Sequence, residues 1–417
     1  MNKFLIKFLF LFYSSFYYGQ DYNFIKNNSN FSFAALEYSI GKTASANVFF
    51  PELKAQNGVL ISIGKTNFKN NLEWAYRLNF PKTGVTFSYV DYGNSEKIGT
   101  AFSIIPFLDF KVFSKFTNKM NLKIGLGASY FNKIYNEVDN PYNKAISMHY
   151  NWAFRSNFYY NLIENKDYNL KFGLGYFHNS NGHLQLPNYG LNTFLLSASS
   201  QFNFKVESPL DTITLKHSRT KQSYFTSRFG LGQKVLSKDD LKKEFVYTYS
   251  ASIGKIINKT YKYGFGFYYR FYEDYYKYIK NDGAVVTEKY SEFKENAFLS
   301  ASNIGVFTNG EILLSHVGIE MELGINIYKP FYKVDWTLNQ FVYVNDSLQP
   351  KELTNYYKIK KTVSTRLGAK LYLINTNKLP INNLFLGAFI NANLGQADFS
   401  ELTLGYVYCF NSKSKKQ

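Results

Sequence analysis

Apolar and polar residues alternate with a period of two along most of this chain. In residues 261–271, Tyr and Phe occupy every second position, and the positions between them hold mostly Lys, Gly and Arg. Residues 402–410 alternate in the same way and end on the aromatic Phe410. Because a period of two places successive side chains on opposite faces of a strand, the chain is predicted to consist mainly of half-buried β-strands.

About sixteen such runs recur along the sequence. They lie at residues 30–41, 57–68, 83–93, 99–115, 119–132, 145–163, 167–181, 190–206, 221–235, 242–258, 261–277, 292–305, 309–328, 356–375, 383–393 and 397–410. Past the N-terminus, no apolar stretch reaches the ~18–20 residues of a transmembrane helix. This combination is typical of an outer-membrane β-barrel. We therefore predict an all-β protein with a single antiparallel transmembrane barrel of about 16 strands, 14 being possible.

The lengths of the connections predict the orientation of the barrel. Outer-membrane barrels have short periplasmic turns and longer external loops. Short joints are expected at 116–119, 164–167, 258–260 and 308–310, and long external loops at 133–144, 182–189, 278–291 and 329–355. Segment 207–220 is the exception, since the count makes it periplasmic; a plug, a small hairpin and a long turn all fit it. Residues 178–192 then fall at the external rim, level with the outer leaflet.

The N-terminus has the pattern of a secretory signal. Lys3 precedes a strongly apolar stretch at residues 4–16, and Gly19 offers a small-residue cleavage point. We expect residues 1–19 to be a signal peptide and residues 20–417 to form the barrel. The one cysteine, Cys409, excludes an internal disulfide.

Composition and charge narrow the possible partners. The chain is 19% aromatic and carries a formal net charge of +18. Nucleic acid is the usual partner of so basic a protein, but an exported chain has little access to it. Phosphates of lipid A and of core sugars are better partners for a basic outer surface, whereas dispersed lysines that are merely solvated are the alternative. No His or Cys cluster has metal-ligand spacing, so neither a metal nor a cofactor is expected.

Three polar residues near the end of one run and the start of the next could carry chemistry. His178 and Ser180 share parity with the apolar Phe172 and Leu174, and Asn192 shares parity with Phe194 and its apolar neighbours. That parity predicts a His, a Ser and an Asn on the lipid-facing side of a membrane barrel. Such a group would suit a reaction on a lipid.

Each of the three has a role in a serine hydrolase. Ser180 would be the nucleophile, His178 the base that takes its proton, and Asn192 the group that orients His178 from the adjacent strand. A tetrahedral intermediate also needs donors for its oxyanion. Asn188 and the backbone N–H groups around Asn181 and Gly182 are the candidates.

The whole string around these residues is more specific than the His and Ser alone. The family pattern H-x-S-N followed by P-N-x-G is matched by His178, Ser180, Asn181, Pro187, Asn188 and Gly190. The segment resembles the lipid A 3-O-deacylase (PagL-type) family of outer-membrane barrels, and more loosely the barrels grouped as acyloxyacyl hydrolases. The resemblance implies a serine esterase that removes an ester-linked acyl chain from lipid A. Asn192 departs from the family, which has Glu at that position.

Two other functions remain open from the sequence. A non-catalytic relative would bind lipopolysaccharide without cutting it, and a porin or channel would need a conductive lumen but not Ser180. The loop residue His183 is expected either in solvent or in contact with a lipid phosphate or sugar. The sequence leaves open the acyl position that is cut and the oligomeric state.

Overall fold

The first eight strands close into an antiparallel barrel. The computed structural model describes residues 31–46, 50–204, 219–339, 341–344, 347–350 and 352–410. The strands are β1 (Phe33–Ala44), β2 (Gln56–Thr66), β3 (Lys82–Asp91), β4 (Thr100–Lys111), β5 (Met120–Phe131), β6 (Tyr150–Glu164), β7 (Tyr168–Ser180) and β8 (Leu191–Asn203). β8 closes the barrel by pairing with β1, so that Phe33 lies opposite Asn203 and Ala44 opposite Asn192.

The later strands close into a second antiparallel barrel. Its strands are β9 (Lys221–Val235), β10 (Lys243–Ile257), β11 (Tyr261–Tyr272), β12 (Ser302–Leu314), β13 (Val317–Tyr328), β16 (Val363–Tyr372), β17 (Asn382–Asn393) and β18 (Gln396–Cys409). β18 returns to β9, and Cys409 lies opposite Tyr224. A separate hairpin joins β14 (Phe341–Val344) to β15 (Ser347–Pro350).

Short helices occupy the connections. They are α1 (Glu73–Arg77), α2 (Glu273–Lys280), α3 (Ala284–Lys289), α4 (Ala297–Ser300), α5 (Tyr332–Asn339) and α6 (Asn355–Thr362), with single 3-10 turns at Ser291–Lys294 and Thr376–Lys378. Stacked aromatic rings join several of them; the ring centroids of Tyr275 and Phe331 are 4.2 Å apart. Within the described ranges, no helix has the length and apolar character needed to cross a membrane.

The all-β class and the sixteen barrel strands are confirmed, whereas the single barrel is wrong. Alternation reveals that a strand exists and which face is apolar, but it does not reveal which distant strand closes the barrel. Eight strands already enclose a space that side chains can fill. Buried Tyr92, Phe131 and Phe177 help to fill it in the first barrel. The expected signal peptide and most of segment 207–220 lie outside the described residues.

The turn expected at residues 308–310 is also misplaced. β12 continues through it to Leu314, and the reversal falls at Ser315 and His316. Asn309 belongs to this strand and points into the barrel, where its amide donates to Glu320 Oε1 at 3.2 Å. The long connections expected at 278–291 and 329–355 contain helices, because their apolar residues pack on one another above the second barrel.

Both barrels have interiors filled with paired charges. In the first barrel, Arg155 Nη2 lies 2.7 Å from Glu37 Oε1, and the phenol of Tyr159 donates to the other carboxylate oxygen at 2.7 Å. In the second barrel, Arg366 Nε lies 2.8 Å from Glu401 Oε2, and Arg366 Nη1 lies 3.2 Å from Glu320 Oε2. Buried charges are tolerable only when they are paired and hydrogen-bonded, as these are. The lumens are therefore polar packed cores.

The outward faces are apolar. Leu174 on β7 is 65% exposed and Leu402 on β18 is 69% exposed, and their neighbours of the same parity are exposed aromatic or aliphatic side chains. A continuous apolar belt of this kind is unfavourable in water but suits the hydrocarbon core of a bilayer. Both barrels therefore carry the surface of a membrane-spanning barrel.

The two barrels stand side by side in the same orientation. We define the upper rim as the end at which β7 leads to β8, and the lower rim as the opposite end. At the upper rim, Trp152 Nε1 donates to Ser400 Oγ at 3.1 Å. At the lower rim, Trp74 Nε1 donates to Ser315 Oγ at 3.2 Å, and the Tyr261 phenol donates to the Arg77 carbonyl at 3.2 Å. Contacts at both rims hold the barrels together.

Candidate active site

The centre of the site is a pair of residues on neighbouring strands. His178 lies directly opposite Asn192 in the β7–β8 ladder. His178 Nδ1 and Asn192 Oδ1 are 2.7 Å apart, the contact that the sequence predicted. An amide oxygen can only accept a hydrogen bond, so Nδ1 carries the proton in this arrangement. Nε2 is then left with the lone pair that a general base needs.

Tyr176 also supports the His178–Asn192 pair, and the sequence analysis did not identify it. The Tyr176 phenol donates to Asn192 Oδ1 at 2.6 Å. Two donors on one amide oxygen fix the orientation of the Asn192 side chain and therefore the tautomer of His178. The sequence could have indicated Tyr176, because it lies two residues before His178 and therefore on the same face of the strand.

Ser180 ends β7 and is covered by its surroundings. It lies opposite Trp152 on β6, and only 4% of the residue is exposed. The Gly182 N–H donates to Ser180 Oγ at 3.2 Å. Within the described part of the chain, no hydrogen bond joins Ser180 to His178. A rotation of the serine side chain is therefore needed to bring it to the base, and such contacts commonly tighten only when substrate binds.

The loop that follows β7 closes over the pair at Gly190. This residue has φ +68°, and a Cβ there would lie 3.3 Å from Ser180 Cβ and 3.4 Å from His178 Cε1. A larger residue would therefore crowd Ser180 and the Asn179 carbonyl, which would lie 3.0 Å from its Cβ, and would be strained at that φ. Because the Gly190 backbone lies this close to Ser180, the P-N-x-G string has to end in glycine.

The remaining predicted residues organise the loop over residues 181–190. Asn188 Oδ1 accepts from the Asn181 N–H at 3.3 Å, which leaves the Asn188 amide nitrogen as a donor. The Asn181 side chain donates to Ser147 Oγ at 3.0 Å and to the Gln185 carbonyl at 2.9 Å. Asn181 therefore holds the loop together, and the Gly182 N–H is the donor that faces Ser180.

The site lies on the outward face of the barrel. Phe172 and Leu174, which share the parity of His178 and Ser180, are at least half exposed. The alternate residues Phe177 and Asn179 point inward and are fully buried. Asn179 illustrates the inward environment, because its amide donates to the Tyr92 phenol at 2.8 Å. His178 and Ser180 are thus separated from the lumen by the barrel wall.

His183 does not lie in solvent as the sequence suggested. Its Nε2 atom has no solvent-accessible surface, and its carbonyl accepts from the Val235 N–H of the second barrel at 3.3 Å. Burial, together with the nearby Lys234 ammonium, lowers the pKa of His183 to about 4, although Asp335 and Asp398 oppose the shift. The loop of the first barrel is therefore inserted against the second barrel, a contact that alternation could not reveal.

Fold and surface define the class: this is an integral outer-membrane β-barrel protein. Residues 61–201 match the family model described as lipid A 3-O-deacylase (PagL). The matched segment lies within the first barrel and includes His178, Ser180 and Asn192. The match covers about a third of the chain, so the first barrel is similar to the PagL-type family, and the second barrel lies outside the match.

Comparisons of whole chains add little to this match. No curated protein matches the sequence. Similar solved structures include the NanC porin, with 7% identity, 89% of this chain and 98% of that chain covered, and a TM-score of 0.16. An outer membrane channel from Pseudomonas putida F1 has 8% identity, coverages of 92% and 96%, and a TM-score of 0.17. Omp33 from Acinetobacter baumannii has 7% identity, coverages of 91% and 98%, and a TM-score of 0.15.

Proposed function

We propose that this protein is a serine esterase that hydrolyses an ester-linked acyl chain of lipid A at the outer leaflet. The observation that carries the proposal is the His178–Asn192 hydrogen bond beside Ser180, on the outward face of a barrel that matches the lipid A 3-O-deacylase family. Among the described residues, no group of three or more His, Cys, Asp or Glu side chains is placed to hold a metal ion.

The reaction proceeds in two transfers of the acyl group. His178 Nε2 takes the Ser180 proton while Oγ attacks the ester carbonyl carbon. The tetrahedral intermediate collapses with cleavage of the acyl C–O bond, and the departing sugar oxygen receives the proton from His178. Water then attacks the acyl-serine, again with His178 as base, and releases the fatty acid and free Ser180.

Two donors are available for the oxyanion of each intermediate. The Gly182 N–H already points at Ser180 Oγ, and the Asn188 amide nitrogen is the free end of a side chain whose oxygen is held by Asn181. Donors fixed before the reaction are worth most, because no reorganisation is needed as charge develops. Substrate would replace the Gly182–Ser180 contact as the serine rotates towards His178.

The surroundings suit an amphiphilic lipid. Below the site, the outward side chains of Phe172, Leu174 and Leu196 offer an apolar surface along which an acyl chain can lie. Above it, exposed Lys133 and Lys238 flank the upper rim and can attract lipid phosphates. This arrangement presents the ester at the boundary between the apolar and charged regions, where Ser180 lies.

A channel function is not favoured by the interiors. The Glu37–Arg155 pair in one barrel and the Arg366–Glu401 pair in the other occupy the space through which a solute would pass. Barrels of eight strands leave room for little more than their own side chains. A conductive path would require these buried pairs to separate.

The proposal is tested by mass spectrometry of lipid A after incubation with the purified protein in detergent. The parent protein should remove one acyl mass, and Ser180→Ala should lower kcat by roughly 10³-fold or more. Ser223→Ala, at an exposed position at the start of β9, is the matched control and should retain full activity. An unchanged lipid A spectrum with folded parent protein would reject the esterase and favour lipopolysaccharide binding.

A further inference from the structure

The second barrel contributes a side chain to the immediate surroundings of the nucleophile. Ser400, near the start of β18, accepts a hydrogen bond from Trp152 Nε1 at 3.1 Å. Its own hydroxyl donates to the Gly182 carbonyl at 3.3 Å. Trp152 lies opposite Ser180, and Gly182 is two residues beyond it. One hydroxyl therefore links the second barrel to both sides of the site.

Gly182 is the residue through which this link acts. Its N–H faces Ser180 Oγ, whereas its carbonyl is held by Ser400. These two groups belong to successive peptide planes, whose relative orientation is set by the two backbone dihedrals of Gly182. Glycine has many accessible dihedrals, so a fixed direction for its N–H requires an external restraint. The hydrogen bond to Ser400 provides that restraint.

The fit between Gly182 and Ser400 is close. Gly182 has φ +65°, and a Cβ at this position would collide with Ser400 Oγ. The next carbonyl, that of His183, is also held by the second barrel through the Val235 N–H at 3.3 Å. Two consecutive carbonyls of the loop are thus anchored on strands β18 and β9, so the anchoring does not rest on a single contact.

We propose that Ser400 is a positioning residue that holds Gly182 so that its N–H serves as an oxyanion donor at Ser180, which makes the active site a joint product of the two barrels. This inference rests on the proposed esterase function. It assigns the second barrel a part in catalysis although that barrel lies outside the family match. Ser400 acts through Gly182 and does not itself touch the reacting atoms.

The test compares Ser400→Ala with Ser223→Ala, which removes a hydroxyl from the same barrel at the far end of β9. Ser400→Ala should lower kcat for acyl release by about 3-fold to 10-fold, the effect of one hydrogen bond, and leave KM within about twofold. Amide hydrogen exchange of peptides covering residues 181–190 should become faster in Ser400→Ala only. Thermal unfolding followed by circular dichroism should match the parent in both variants.

The outcomes separate this inference from the function on which it rests. If Ser180→Ala abolishes acyl release while Ser400→Ala changes neither kcat nor exchange, the esterase stands and the positioning role is rejected. A rise in KM alone would likewise overturn positioning, since it would indicate substrate binding by Ser400. If the parent protein releases no acyl chain, the proposed esterase function is rejected. If hydrogen exchange of residues 181–190 is also unchanged in Ser400→Ala, the anchoring of Gly182 by Ser400 is rejected as well.

Discussion

The two barrels share one architecture but differ at the rim where the first carries its candidate site. In the first barrel, the seventh strand ends on His178 and Ser180, and a loop over residues 181–190 leads to the eighth strand. In the second barrel, the seventh strand ends on Asn393, and only Leu394 and Gly395 precede the eighth. The second barrel has its long connections elsewhere, between β11 and β12 and between β13 and β16.

This difference indicates that the barrel is a scaffold and that the proposed chemistry depends on which hairpin carries a long loop at the rim. Both interiors are filled by paired charges, and both outer faces are apolar, so neither feature distinguishes a hydrolase from an inert barrel. A rigid scaffold with a functional connection is a common solution, because strands can hold residues on facing positions while loops vary. Here the loop over residues 181–190 of the first barrel packs against the second barrel, near its short connection at Leu394 and Gly395.

Substituting one histidine in each barrel is the most direct test of this difference between the barrels. His178→Gln removes the proposed base, and kcat for acyl release should fall by roughly 10²-fold to 10⁴-fold. His316→Gln is the matched change in the second barrel, where Nδ1 contacts the Tyr372 carbonyl at 2.9 Å. It should leave kcat unchanged. Equal losses in the two variants would mean that His178 acts on folding and not on the reaction.

A smaller effect is expected from restoring a carboxylate beside the base. Asn192→Asp preserves the shape of the side chain, and both Tyr176 and His178 can still donate to it. A negative charge would stabilise the imidazolium that forms during proton transfer, so kcat should rise about tenfold. The gain should be modest because the asparagine already selects the correct tautomer. A lower kcat, measured by the same lipid A assay, would show that the orienting role is misassigned.

The smallest effect concerns the docking of the loop on the second barrel. Docked His183 has a pKa of about 4, lowered by burial and by Lys234 against the opposing pull of Asp335 and Asp398. An undocked imidazole in water titrates near ~6.5, so between these values the undocked loop binds a proton that the docked loop does not. The contribution of neutral His183 to docking is therefore fully present above about pH 6.5 and is lost as the pH falls towards 4.

The measurement is hydrogen exchange of residues 181–190 in the parent protein and in His183→Gln at the same pH, because their ratio cancels the intrinsic pH dependence of exchange. The ratio of parent to variant rates should rise several-fold between about pH 7 and about pH 5. A ratio that stays constant over this range would exclude His183 as the titrating group.

Much of the site could be predicted from local sequence. His178 and Ser180 are two residues apart on one strand, so period-two alternation placed them on one face and with the outward apolar residues. The hydrogen bond between His178 and Asn192 followed from the expected hairpin, since the two strands are adjacent in the chain. Tyr176 could have been found by the same parity but was treated only as part of the apolar face.

The contacts of the second barrel could not be predicted in this way. Ser400 is a single polar residue on an outward face, and nothing in its sequence neighbourhood distinguishes it from a solvated serine. His183 lies in a loop, where exposure is the usual expectation. Both residues owe their surroundings to a neighbour more than fifty residues away along the chain, Val235 for His183 and Trp152 for Ser400.

Local patterns in the sequence were enough to predict most of the strands, their faces, the membrane-facing surface and the outward position of the His-Ser pair, because each depends on a repeat of two residues or on an adjacent hairpin. The tertiary structure decided how many barrels the strands form and what covers Ser180. Those properties depend on the pairing of β8 with β1, of β18 with β9, and on the docking of Gly182 against Ser400. Pairings between distant segments are selected by the packing of the whole chain, and no local pattern encodes them.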